Sequence, residues 1–471
     1  MSVIFLTMRR VNVRSDSGQA LLLGLILIGV GVLAWACSYY IGHLVHDKIS
    51  LIRATDAAVL SAATVQARTL NLHAYLNRAQ LANQLAMLHL VTLASQERFR
   101  ATQAQQSLKM NPPAFLIGMF FGPSYAGSYL AARAGGVSDS LAIQNLESAF
   151  HKHDQIIKET IEHSRKNILD DMLSARNQTL EKILILNVGE SGSSIRGASL
   201  SDLGLTLEIV RDDLKQGVQY FSSQSPVWHS TFIKLTEPYG YLKPRHATRQ
   251  NFWAVNVRCP HKRHELRRRG QTTANINGSF ESNDTLSFHA IRSNRLIGCY
   301  QREYPMGWAQ IDSTVKKPTI LGLDLKLNPE HSSAPKQQNF SSQPFWKWVK
   351  QQALPGWNIF SGNENQLANL WASTRKIRWN SHANAGYAEV NSHSSYRFDI
   401  NTTQSFKFLS LHKNKNRFSE RFNFIDADPG DLLRAQSAAI TYFSRPEKRS
   451  DGAVEEQNLF HPYWHAILVQ R

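Results

Sequence analysis

The sequence predicts an α+β protein: an N-terminal transmembrane helix, a helical stalk region, then a mixed β-rich domain on the far side of the membrane. Three observations predict it. Ser17 to Gly42 carries no formal charge, whereas the preceding tail holds Arg9, Arg10 and Arg14. From residue 43 to about 110, Leu and Ala recur at helical spacing with no Gly or Pro between them. From about residue 187 the texture changes to short alternating runs among Gly, Ser, Thr, Asn and aromatic residues. The 471 residues suffice for an anchor and two or three compact units.

Residues 1–18 form a basic tail, with Asp16 its one acid, and residues 19–42 the membrane helix. At about 1.5 Å per residue, that helix crosses a hydrocarbon core of roughly 30 Å. Trp35, Tyr39 and Tyr40 gather at one end, as in an interfacial aromatic belt. The basic tail predicts a cytoplasmic N-terminus and an exported remainder. A cleavable signal is the competing reading, because Ala34-Trp35-Ala36 imitates a cleavage site, although the apolar run is long for one. Ala34, Ser38 and Gly42 make a small-residue ladder suited to helix packing, continued by Ala57, Ala58 and Ser61.

Residues 43–186 read as a helical region. Leu70, Ala74, Leu76, Leu81, Leu85, Leu88 and Leu93 trace its first part, and Pro112-Pro113 ends that part. Met110 to Ala132 again lacks charge, but its prolines and glycines favour a buried hairpin or a surface-dipping segment over a second regular span. Ser138 to Leu186 is helical again through Ile156, Ile157, Ile161, Ile168, Met172 and Leu173. Residues 187–331 form the β-rich region, with Leu205–Val210 and Phe252–Val257 as strands. Residues 332–344 read as a linker. Residues 345–471 are aromatic-rich and end in a helix that Asp431 caps, with Leu432, Ala435, Ala439 and Tyr442 on one face and Pro446 as its stop.

Gly18-Gln19-Ala20, the membrane helix, Thr55-Asp56-Ala57-Ala58 and Ser61-Ala62-Ala63 follow one another in a set order. This block, from Gly18 to Ala63, resembles the start of TadE/TadG-like proteins of bacterial Tad (tight-adherence) pilus-assembly loci. Ala438–Pro446 and Asn458–Trp464 look similar to the endings of large Tad-locus proteins. The resemblance implies a single-pass inner-membrane protein with a periplasmic domain. It further implies a role in assembling or anchoring a Flp-type pilus or a related secretion apparatus, with the lipid bilayer and other pilus-assembly proteins as partners. Pilin-like precursors are cut after a Gly and carry Glu five residues beyond it; here Gly18 is present, but Leu23 stands where the Glu would be. That favours a permanent anchor over the alternative, a minor pilin-like subunit cleaved after Gly18.

The net charge of +17 favours anionic partners. Its densest run holds Arg258, Lys262, Arg263, Arg267, Arg268 and Arg269, either a polyanion contact or a solvated loop between strands. An anchored module that binds an envelope polyanion is therefore a second functional alternative. Cys259 and Cys299 permit one disulfide in an oxidising compartment. With His261 and His264 they also make a zinc-type set, but the spacing is unusual and the surrounding cations oppose a dication; two free thiols are the third possibility. His151, His153, Asp154 and His163 read as a solvated helix face. Gly189-Glu190-Ser191-Gly192-Ser193 is no nucleophile elbow, and His264-Glu265 lacks the second His of a zinc protease. The expectation is a protein that is not an enzyme, with no catalytic or metal residues, no cofactor, no nucleic acid and no small-molecule substrate.

Overall fold

The computed structural model describes residues 17–135, 140–188, 199–216, 218–221, 226–274, 279–296, 298–315, 376–381, 386–390, 395–408, 432–447 and 454–469, with a few isolated positions besides. Its axis is one helix, α1 (Ser17–Leu108), 92 residues long. At the standard rise it extends about 140 Å. The expected membrane helix and the first part of the stalk are thus one uninterrupted element. No Gly or Pro follows Gly42 to loosen it. It stops where Met110 turns into the left-handed region (φ 52°) ahead of Pro112 and Pro113.

A short hairpin follows, α2 (Ala114–Phe121) and α3 (Pro123–Ala131), hinged at Gly122 with φ 106°. This is the buried-hairpin reading of the uncharged stretch: Ala114, Ile117, Phe120, Phe121 and Tyr129 pack on Leu266, Phe288, Tyr304 and Met306. The chain then returns along α1 through α4 (Ser140–Gln155), a π-helical turn at Ile156–Glu162, and α5 (His163–Val188). The return is antiparallel. Ile143, Phe150, Ile157 and Ile161 meet Leu81 to Ala94, whereas Leu180 and Leu184 meet Leu51 to Ala63.

Eleven strands are described: β1 (Leu205–Asp212), β2 (Val218–Phe221), β3 (Ala247–Gln250), β4 (Glu265–Ala274), β5 (Phe280–Asn294), β6 (Gly298–Val315), β7 (Ile377–Ser381), β8 (Tyr387–Val390), β9 (Ser395–Ser405), β10 (Leu432–Phe443) and β11 (Trp464–Leu468). One further helix, α6 (Pro226–Thr236), lies between β2 and β3. An antiparallel sheet, order β1-β9-β10-β11, covers the part of α1 nearer its N-terminus. A second sheet, order β3-β4-β5-β6-β7, covers the far part, with only β6 and β7 parallel. β2 and β8 form a separate pair. Strands from the two halves of the C-terminal region are therefore interleaved: β1 with β9, β2 with β8, and β6 with β7.

The expected final helix is a strand, β10. Leu433, Ala435, Ser437, Ala439 and Thr441 alternate inward, a period of two. Leu432, Ala435, Ala439 and Tyr442 fit a helical stripe only by coincidence of spacing. The small inward Ala and Ser side chains gave a weak alternation, and pairing with β9 and β11 decides the outcome. Phe252–Val257 is not a strand either. Asn251 gathers it into turns, donating to the Trp253 carbonyl at 2.6 Å and accepting from the His264 amide at 2.8 Å. Residues 332–343 of the expected linker and Asp431 lie outside the described residues.

Candidate functional site

The first part of α1 is bare. Leu21 to Leu33, Trp35, Tyr39 and Ile41 face outward with no cover from the chain. Among the described residues, this is the one helix long and apolar enough to cross a membrane. Ala34, Ser38 and Gly42 are exposed on it. The Ser38 hydroxyl donates to the Ala34 carbonyl one turn back at 2.9 Å, which leaves the ladder free of unsatisfied donors. Ala57, Ala58 and Ser61 behave differently. Ala58 is fully buried with Leu51, Ala54, Ala62 and Ala63 against Leu180, Leu184, Phe398 and Ile400, and its two neighbours in the motif are partly buried. The alanine-rich half of the motif is thus seated within the chain, and only the ladder stays open.

Where the bare part ends, α1 and the last turn of α5 enclose an open cleft of about 520 Å³, lined by Gly42, Val45, His46, Ile49, Ser50, Arg53, Ala54 and Asn187. Beside it, the Lys48 ammonium donates to the Arg434 carbonyl on β10.

Farther along, α1 turns an unusual face inward. Gln66, His73, Asn77, Gln80, Gln84, Thr92, Ser95, Thr102 and Gln106 are all buried. These side chains hold strand backbone. The Asn71 amide pairs with both Trp464 backbone groups, at 3.0 and 2.9 Å. Asn77 donates to the Ala388 and Leu459 carbonyls and accepts from the Ala388 amide. The Thr102 hydroxyl donates to the Trp308 carbonyl and accepts from its amide. Arg165 on α5 is fully buried and donates to Asn77, Gln80 and the Gly386 carbonyl. Burial first, and Arg165 second, push the His73 pKa down to about 4, so this imidazole is neutral. The sequence reading missed this face because it counted apolar positions only. The signal was a polar series from Gln66 to Gln106 at intervals of three, four, seven and eight.

At the far sheet the polar contacts become ionic. Asp284 is fully buried. It accepts from Arg245 at 3.0 and 3.1 Å, Arg268 at 3.1 Å and the Ser95 hydroxyl at 2.8 Å. A Cβ at Gly270 would stand 2.6 Å from an Asp284 carboxylate oxygen, so this glycine leaves room for the cluster. Gly307 likewise lets β6 approach Phe99 and Gln103 of α1.

The six basic residues of the dense run therefore divide. Arg267 is buried on β4 with Glu265 at 2.6 Å and Gln301 at 3.0 Å. Arg268 serves Asp284 and lies 3.7 Å over the Phe99 ring. Arg269 donates to the Ala247 carbonyl and the Thr248 hydroxyl. Only Arg258, Lys262 and Arg263 lie in turns, so the run is neither one polyanion patch nor one solvated loop. Cys259 and Cys299 are bonded, with Cα atoms 5.9 Å apart, which removes the zinc and free-thiol readings. The expected solvated face of α4 also divides. His151 is half-buried near Glu147, whereas Asp154 is buried and accepts from the Ser381 hydroxyl at 2.7 Å.

Among the described residues, Ser287, His289 and Glu303 form a Ser–His–acid set, all buried on β5 and β6. Ser287 stands 2.9 Å and Glu303 3.9 Å from the same imidazole nitrogen, Nε2. A nucleophilic triad needs the acid on the opposite nitrogen, so this set is a cross-strand packing group. No metal-type cluster of three His, Cys, Asp or Glu occurs among the described residues.

Compared with known proteins, the chain matches no family model, no curated relative and no solved structure. The functional reading rests on the chain's own geometry and on the residues Gly18 to Ala63.

Proposed function

We propose that this chain is a membrane-anchored, extracytoplasmic accessory protein that assembles or anchors a Tad/Flp-type pilus or a related secretion apparatus. The observation that carries the anchored reading is that a bare apolar stretch and the axis of the folded domain are one helix, α1. Lipid would cover the part that the chain leaves open, because twenty or so uncovered apolar residues are unstable in water. The Cys259–Cys299 bond supports an oxidising compartment for the domain. The Tad assignment draws on the N-terminal resemblance. The mechanism is positional: the ladder Ala34-Ser38-Gly42 meets partner helices in the bilayer, while the domain holds a fixed distance and orientation outside.

A reporter fused after Arg471 tests the topology. An exported-only reporter should be active, and carbonate washing should leave the protein in the membrane; activity of a cytosol-only reporter would sink the reading. Deletion of the gene should abolish surface pili. The same bare stretch also suits the minor-subunit reading, and a mature chain beginning at Gln19 would favour that alternative.

A further inference from the structure

The end of the molecule farthest from the bare helix is built from three segments that touch one another. Phe120 of α2 meets Trp253 of the 251–263 loop, with ring centroids 5.9 Å apart. That loop is bound to the β5–β6 turn by the Cys259–Cys299 disulfide and by a 2.9 Å hydrogen bond from Asn256 to Ser293. Large apolar side chains protrude from all three: Phe115 is 72% exposed, Phe252 79%, Val257 96% and Leu296 79%, with Trp253 and Met119 also outward. Such residues occur singly on any surface, but here they share one end and stand on a disulfide-tied frame.

The same segments carry charge of one sign only. Residues 109–135, 251–263 and 291–300 contain Lys109, Arg133, Arg258, Lys262, Arg263, Arg292 and Arg295 and not one Asp or Glu. Arg258 and Arg295 are exposed, and the Arg249 guanidinium lies 5.5 Å from the Phe252 ring. The acids nearest in sequence to the 251–263 loop and the β5–β6 turn, Glu265 and Glu303, are buried. Protruding aromatic and aliphatic side chains ringed by cations match the layered chemistry of an anionic bilayer, with phosphate outside and acyl chains beneath. An acidic protein surface would satisfy the cations, but it would leave Val257 and Leu296 without an apolar counterpart.

We propose that this end is a second membrane contact, which docks on an anionic lipid surface through Phe252, Val257 and Leu296 with Arg258 and Arg295. It stands roughly 100 Å along α1 from Gly42, too far to reach the bilayer that holds the helix. The surface it meets is therefore a different one, and the protein bridges two membranes. The bridging rests on the anchored reading above, whereas lipid binding by this end does not.

The test holds the full chain in phosphatidylcholine nanodiscs and measures co-flotation with vesicles of phosphatidylglycerol or of phosphatidylcholine alone. Incorporation into the nanodisc reports on the anchor by itself; if it fails, the same flotation is run on detergent-held protein and still decides the lipid contact. The expected result is binding to phosphatidylglycerol vesicles that weakens with salt. Replacing both Arg258 and Arg295 by Ala should weaken it about thirtyfold. The triple variant F252S/V257S/L296S should weaken it at least about tenfold, and because these side chains are exposed, its unfolding midpoint should not move. The proposal is overturned by absence of binding to phosphatidylglycerol vesicles, by a triple variant that binds as well as the parent, or by equal binding to soluble polyglutamate that ignores the three apolar residues.

Discussion

α1 is seated twice, and the two seats, each with an apolar core, differ in how much of the contact is polar. Near the bare segment, Ala54, Ala58, Ala62 and Ala63 lie against Leu180, Leu184, Phe398 and Ala439, a contact of small apolar surfaces. At the far sheet the contact is directional: Thr92 bonds Thr272, Ser95 bonds Asp284, and Thr102 clamps Trp308. Apolar burial holds surfaces together but is indifferent to small slides, whereas buried hydrogen bonds tolerate one setting. The far seat therefore restricts the rotation and height of the helix most, while Asn71 and Gln66 add a smaller set of directional bonds at the near sheet.

Removing the charge at the far seat should break this contrast most strongly. Asp284→Ala leaves Arg245 and Arg268 without their buried partner and should cost about 4 kcal/mol in urea unfolding. Hydrogen exchange should then rise in β4–β6 before β9–β10; the reverse order would refute the division of labour. Removing the disulfide with Cys259→Ser and Cys299→Ser frees a loop spanning 40 positions. It should cost about 3–4 kcal/mol, again at the far end. Ala62→Leu overfills the near seat and should cost about 2 kcal/mol, with exchange rising first in β9–β10.

Acid should act on the middle of α1 and on the far sheet. His73 and His264 have pKa values pushed down to about 4 by burial, and His289 is also depressed. The unfolded chain takes up these protons near pH 6.5 and the folded chain does not. Stability is therefore full above pH 6.5 and falls as the pH drops toward 4, so the urea midpoint should be lower at pH 5 than at pH 7.5. His73→Gln should lessen the difference.

The helical half was legible because its signals are local: uncharged length, Leu and Ala at helical spacing, and Pro112-Pro113 as a stop. The β half was legible only as a class. β10 failed because its inward residues are mostly Ala, Ser and Thr, whose alternation is faint, while Leu432 and Tyr442 gave a misleading helical stripe. The polar face of α1 failed for a related reason. Asn77 and Thr102 look solvated until strands from more than 200 residues away supply the backbone groups they hold. Arg267 and Arg268 read as surface charge because Glu265 lies nearby in sequence but Asp284 comes from another strand.

The interleaving of strands has a consequence for biogenesis. β9 lies between β1 and β10, so the near sheet cannot close until residue 405 and beyond have been made. Until then β1 waits with an open edge for a partner about 190 to 200 positions later. Folding of this polypeptide should thus be a race between late pairing and aggregation, and on the anchored reading proposed above a holdase that shields β1 would raise the yield.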